Sequence, residues 1–289
     1  MAQSQSSEAK TGYMLVAPPL LYAVLLLAAP LATVLIYSVL TGENGAVSLP
    51  MTTENFTTVW TGRVYQAIMA RSLYVSMLVT LTTVLLAYPI AYFVSFHVRP
   101  ERKALWLFLI TIPFWTSYII RVSLWRTILG YNGIIDSTLI GLGVTSEPLN
   151  ILSYGVVSII ITLAHAYAPF AVLPIFVSLE KVDRALLEAG QDLGESRWTT
   201  FLRVTLPLSM PGVIAAVLIV FIPTVGDYVT PELIGGGKVP MIANMIEIEM
   251  LKKRDQAMGS AIAVTAMSIV AIVSILFVLL NKRFIGGTK

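Results

Sequence analysis

Residues 180–207, EKVDRALLEAGQDLGESRWTTFLRVTLP, interrupt a chain that otherwise avoids charge. Only 12% of the 289 residues are charged and 56% are hydrophobic, yet Glu188 to Ser209 alone holds three acids and two arginines between two apolar runs. Val182, Leu186, Ala189 and Leu193 recur at helical spacing, so one face of a short helix is apolar while Asp183, Arg184, Gln191 and Asp192 face water. Gly194 supplies a permissive stop, Ser196 an N-cap for a second short helix, and Pro207 marks the return to an apolar run. The spacing predicts a helix, a turn and a helix projecting from a membrane into water. Periodicity leaves a second reading open, an amphipathic loop lying flat on the lipid surface.

Outward from this segment the mean hydropathy is +0.81, and six apolar spans are drawn at about 13–40, 70–97, 104–128, 152–178, 208–230 and 257–281, each near the ~20 residues a bilayer core requires. Backbone amides in lipid are satisfied within a helix or a closed barrel, and the period-2 alternation of barrel strands is missing. The chain is therefore expected to be an all-α membrane protein of six transmembrane helices. The N-terminal MAQSQSSEAKTGY leads into an apolar run far longer than a signal-peptide core, so the first span is read as retained. With no cysteine there is no disulfide framework, thiolate metal site or cysteine nucleophile. The formal charge of +3 follows from basic cytoplasmic loops and does not point to nucleic acid.

Arg99, Arg102 and Lys103 lie between the second and third spans, Lys181, Arg184, Arg197 and Arg203 follow the fourth, and Lys282, Arg283 and Lys289 end the chain. Six spans place these groups on one side, the cytoplasm, with both termini inside. Lys252, Lys253 and Arg254 run against this scheme, which puts them outside, although Glu247, Glu249 and Asp255 offset their charge. Prolines recur in or at the edges of the spans, among them Pro30, Pro89, Pro113, Pro169, Pro174, Pro211 and Pro223. They fit ordinary membrane composition and helices bent around a gated path equally well.

Glu188-Ala189, Gly194, Val204 and Leu206-Pro207 resemble the EAA signature of the permease subunits of ATP-binding-cassette (ABC) importers, with Gly190 at a usual alanine and Val204 at a usual isoleucine. PFWTSYIIR (113–121), AYAPFAVLPIFVSLEKVD (166–183), FIPTVGDYVTPELIGG (221–236) and the start of the second span are similar to segments of polyamine (spermidine and putrescine) importer permeases, over roughly residues 65–281. The resemblance implies a type I ABC importer permease fold in the bacterial inner membrane, with Glu188, Ala189, Gly190, Gly194, Val204, Leu206 and Pro207 in a cytoplasmic coupling element that docks on an ATPase. It also implies two ATPase subunits holding ATP and Mg, a second transmembrane permease subunit, by the polyamine likeness a related chain, and an extracytoplasmic solute-binding protein. The chain divides into 1–64 (tail, first span and extracytoplasmic loop), 65–281 (a permease core of five spans including the EAA loop 180–207) and 282–289 (a cytoplasmic tail).

GGGKV at 235–239 lacks the first glycine and the hydroxyl of a phosphate-binding loop, so ATP hydrolysis is expected in another chain and no catalytic residues are assigned here. Ionisable residues at membrane depth are the default functional candidates. Asp227 is expected in the outer half of the fifth span, with Glu232 close to the outer surface and Arg121 and Arg126 at comparable height in the third. Two roles stay open for Asp227, a fixed pair with Arg121 or a place on the solute path. A polyamine suits carboxylates along an aromatic-lined path, for which Trp115, Tyr118 and Tyr228 are the candidate faces, although such rings also serve as packing or interfacial anchors. His165 and Tyr167 are candidates for hydrogen bonds across helices, and no metal-ligand spacing accompanies His97 or His165. An opine, an amino-acid-like compound or another small solute is the alternative cargo. The alternative class is a stand-alone secondary transporter or channel, in which the buried charges would couple to ions.

Overall fold

A backbone surrounded by hydrocarbon closes its hydrogen bonds within one segment, and the apolar runs accordingly condense into helices. The computed structural model describes residues 2–43, 45–149 and 155–285. The start of the expected fourth span, 152–154, and the end of the tail with Lys289 lie outside them. In chain order the elements are α1 (Ala2–Ser38), β1 (Leu40–Glu43), β2 (Ala46–Met51), α2 (Glu54–Thr61), α3 (Arg63–Phe96), α4 (Pro100–Thr111), a 3-10 turn (Ile112–Trp115), α5 (Tyr118–Leu129) and α6 (Ile134–Gly141). There follow α7 (Val156–Leu179), α8 (Arg184–Asp192), α9 (Arg197–Thr200), a π-helical segment (Phe201–Thr205), α10 (Leu206–Val225), α11 (Val229–Leu233), α12 (Ile242–Glu247), a second π segment (Ile248–Lys252), α13 (Gln256–Leu280) and α14 (Lys282–Ile285).

Five stretches among the described residues are long and apolar enough to cross a membrane: Gly12–Ser38, Arg63–Phe96, Val156–Leu179, Arg197–Val225 and Gln256–Leu280. The remaining one, the third expected span, departs from the single helix drawn at 104–128. It is a bent pair, Pro100–Trp115 and Tyr118–Gly141, with 85° between its arms. Pro113 has no N–H to continue the helix, and Thr116 and Ser117 turn to extended ψ values of 150° and 139°. The fifth span also ends earlier than expected, at Val225 rather than residue 230, so Asp227 lies beyond the helix rather than within it. Gly226 caps the helix, and the Asp227 carboxylate accepts the next backbone N–H groups.

The chain forms two compact units. In the unit of Arg63–Met245 and Met267–Lys289, α3, α7 and α10 pack against one another around a core with Val75, Ala87, Ala91, Leu163, Ala171, Val172, Ala216 and Val220. Lipid offers no hydrophobic drive for this packing, so small residues that let backbones approach closely carry it. Gly212 marks a close approach of α10 to α7, where a Cβ would collide with the Pro174 carbonyl and the Ser178 side chain. Several buried hydroxyls are satisfied along their own helices, as in Thr83 donating to the Val79 carbonyl (2.7 Å) and Thr224 to that of Val220 (2.6 Å). Between helices the Tyr88 and Ser209 hydroxyls meet at 2.8 Å.

In the unit of Met1–Gly62 and Ile246–Ala266, every side chain from Gly12 to Thr33 of α1 is exposed. Residues 40–43 and 46–51, expected only as part of a loop, pair antiparallel as β1 and β2. Asn55 holds the base of this pair, donating to the carbonyls of Ser38 (3.2 Å) and Leu40 (2.8 Å). Two of the bases that ran against the charge scheme are paired, Lys252 with Glu247 (3.6 Å) and Lys253 with the buried Glu249 (2.8 Å).

Candidate functional site

Local chemistry builds the polar segment as a helix, a turn and a helix. The Asp183 carboxylate accepts the Ala185 N–H (2.9 Å) and starts α8. Gly194 ends the turn at φ +81°, a left-handed conformation that disfavours a Cβ, and the Ser196 hydroxyl accepts the Thr199 N–H (3.2 Å) to start α9. Glu188 and Ala189 are exposed on α8, Gly190 is half-buried, and a Cβ on Gly190 would meet the Thr200 side chain at 3.2 Å. Val204 lies in the π segment, and Leu206 and Pro207 open α10. The apolar face foreseen on α8 is not folded into the chain's own core: Leu186 is 48% exposed, Leu193 85%, and Trp198 of α9 67%.

A polar cluster ties the start of this segment to the spans. Glu180, which caps α7, receives Lys103 Nζ on both carboxylate oxygens (2.6 and 2.9 Å) and the Ser95 hydroxyl on Oε1 (2.5 Å). Arg184 Nη2 donates to the Ser95 carbonyl at 3.5 Å. Partial burial acts to raise the Glu180 pKa, but the hydrogen bonds from Lys103 and Ser95 and the charges of Lys103 and Arg184 outweigh it and hold the carboxyl below its ordinary value.

A cavity of about 300 Å³ opens where α5, α7 and the junction of α10 with α11 meet, walled by Phe114, Tyr118, Arg121, Tyr167, Phe170 and Asp227, with Tyr228 beside them. Asp227 is 7% exposed. Its Oδ2 accepts the Tyr118 hydroxyl (2.8 Å), and its Oδ1 the N–H groups of Val229 (3.1 Å) and Thr230 (3.4 Å). Because the Tyr118 hydroxyl donates to Asp227, the Thr230 hydroxyl, 2.7 Å away, is left to donate to the Tyr118 oxygen. Arg121 faces the same cavity, but among the described residues no ion pair joins it to Asp227. Its Nη1 donates to the Pro113 carbonyl (3.0 Å), which the break in the span releases and which Thr116 Oγ1 also meets (2.9 Å). The guanidinium lies 5.6 Å from the centre of the Phe114 ring.

Of the path candidates, the fold brings Tyr118, Asp227 and Tyr228 together. Trp115 stands apart, 74% exposed and edge-on to Phe108, and Glu232 is exposed on α11 outside the cavity wall. His165 bonds across helices, its Nδ1 accepting the Trp125 indole N–H (3.1 Å). The walls formed by Phe114, Tyr167 and Phe170 were not singled out as path residues. The signal for the latter two was their spacing in AYAPF, three apart on one helix face.

The pattern of the binding-protein-dependent transport system inner membrane component family matches residues 67–286. The spermidine/putrescine transport system permease protein PotB of Haemophilus influenzae is 36% identical over 254 residues, covering 88% of this chain and 88% of that protein. PotB of Escherichia coli K12 is 34% identical over 251 residues, covering 85% and 90%. A bacterial ABC transporter involved in the import of the acidic polysaccharide alginate has a chain that superposes with a TM-score of 0.73 at 16% identity, over 99% of both chains, which is a likeness of fold.

Proposed function

The chain belongs to the family of inner membrane components of binding-protein-dependent transport systems, and from that premise we propose that the solute it carries is a linear polyamine. The chain itself is the multi-pass permease subunit of an ABC importer, and ATP is hydrolysed by a partner chain. The observation that carries the polyamine reading is the Asp227 carboxylate held at an aromatic-walled cavity of about 300 Å³. Three N–H and O–H donors hold the carboxylate in place and leave lone-pair capacity on Oδ2, while the rings of Tyr118, Tyr167 and Phe170 offer π-faces to an ammonium group and methylenes to pack its chain. The volume sits at the low end of small-ligand sites, ~300–1,000 Å³, which suits one end of an extended amine. The spermidine and putrescine named for the PotB relatives support the same class.

Asp227→Asn keeps the size of the side chain and removes its charge. It is expected to lower spermidine and putrescine uptake about tenfold or more, the scale of a charge-assisted hydrogen bond, while the ATPase still co-purifies. An assembled variant with unchanged uptake overturns the assignment. The Arg121 guanidinium in the cavity wall favours a second reading, an amino-acid-like solute whose carboxylate it would meet. Under that reading such a solute, and not spermidine, competes for uptake.

The mechanical half of the proposal rests on Leu186, Leu193 and Trp198, large apolar side chains left exposed on an otherwise polar segment. A partner ATPase that covers them would grip Glu188, Ala189, Gly190 and Gly194, and its dimerisation on ATP and Mg would pull through Val204, Leu206 and Pro207 into α10. The assembly we propose has two ATPases, a second, related permease chain and an extracytoplasmic binding protein, with both termini of this chain in the cytoplasm. The alginate transporter, crystallised with a periplasmic protein bound to an alginate pentasaccharide, supports a binding protein in that role.

A further inference from the structure

The exposed face of α8 raises a mechanical question: what links this helix to the spans it would move? No residue of α8 is buried, so apolar packing does not hold it to the bundle. Its C-terminal half touches the start of the fifth span through Gly190 against Thr200. Its N-terminal end is tied by charge. Glu180, four residues ahead of Arg184, takes Lys103 in a two-oxygen grip at the start of α4 and the Ser95 hydroxyl at the end of α3, and Arg184 itself reaches the Ser95 carbonyl. Ser95 is 1% exposed and the Lys103 side chain 14%, while the Glu180 side chain keeps 35%, so two buried partners hold a carboxylate that still reaches water. Val182, between Glu180 and α8, is 7% exposed and fixes the connecting turn.

We propose that Glu180, Lys103 and Ser95 form a coupling latch, positioning residues that carry displacement of α8 into α3 and α4 as well as α7. The inference rests on the reading of α8 as the ATPase-docking helix. A single connection through α10 would tilt one span. The latch adds the ends of two more and the first arm of the broken third span, whose second arm carries Tyr118 and Arg121 to the cavity. An ion pair suits this task better than apolar contact, because it is directional and holds its partners in one geometry while the surrounding helices slide.

The test uses the complete importer in proteoliposomes, reading spermidine uptake, ATP hydrolysis and co-purification of the ATPase together. In Glu180→Gln and Lys103→Met the ATPase is expected to remain bound and hydrolysis to continue, while solute moved per ATP falls about tenfold, the scale of losing one charge-assisted network. A role confined to folding would lower both rates together and leave that ratio unchanged. The charge-reversed pair Glu180→Lys with Lys103→Glu is expected to recover part of the ratio, and Glu180→Asp most of it. An unchanged ratio in the assembled single variants overturns the latch and leaves the docking reading intact. Wild-type uptake that persists with no ATPase bound overturns both.

Discussion

Gly212 shows how much one missing Cβ decides. The α7 backbone passes so near that Gly212→Ala would press its methyl onto the Pro174 carbonyl and Ser178. Overpacking of this kind costs about 1–3 kcal/mol, so the purified variant is expected to unfold at lower temperature, and an unchanged melting point would mean that the helices separate without strain. Glu180 gives a second prediction at this scale, through pH. Its folded-state pKa is lowered, so its contribution to stability is fully present above the ordinary value of 4.5 and is lost as pH falls through the lowered one. The difference in melting temperature between wild type and Glu180→Gln is therefore expected to be constant above about pH 4.5 and to close below it. A difference that persists into acid would assign the effect to something other than the carboxylate charge. Gly194 and Ser196 were legible because caps and left-handed turns act within three or four residues, whereas Asp183, expected only to face water, proves to be the cap of α8. The Arg121–Asp227 pairing was not decidable from type and depth alone, since Tyr118 and two backbone amides satisfy the acid while a carbonyl takes the base.

At the scale of elements, the broken third span is the departure with most consequence. Proline signals a weakened helix, but how far the arms diverge depends on what receives the freed carbonyl. Here Thr116 and Arg121 both turn back to Pro113, and the arms diverge by 85°. Arg121→Met removes the charged donor and leaves Thr116 alone. The expected loss is about 1.5–3 kcal/mol, the range for hydrogen bonds to charged groups, seen as a lower melting temperature and faster proteolysis between α4 and α5. Equal stability and proteolysis would show that Arg121 does not brace the break. The fifth span follows a similar logic at its outer end. Hydropathy runs on through residue 230, but Asp227 competes for the N–H groups that would extend the helix, and the chain breaks at Gly226 to begin α11. Just past that break the carboxylate stands in the cavity wall.

For the whole molecule, the absence of cysteine makes topology directly measurable. Leu193→Cys is expected to react with an impermeant maleimide only from the cytoplasmic side, and to be protected when the ATPase is bound. Lys253→Cys is expected to react only from outside, and labelling on the opposite sides would invert the proposed orientation. The resemblance drawn from the EAA residues and from 113–121, 166–183 and 221–236 matches the family to which the chain belongs. The sequence by itself determined the helical membrane class, the segments that supply the spans and the helix, turn and helix of the polar connection. Those properties follow from runs of apolar residues and from caps that act over a few positions, so no distant part of the chain is needed to read them. Only the tertiary structure decided that Lys103 meets Glu180 across 77 residues, that Tyr118 meets Asp227 across 109, and that Trp115 and Glu232 stand outside the cavity those contacts frame. Such contacts depend on where packed helices cross and where two of them break, and hydropathy carries neither angle nor rotation about a helix axis.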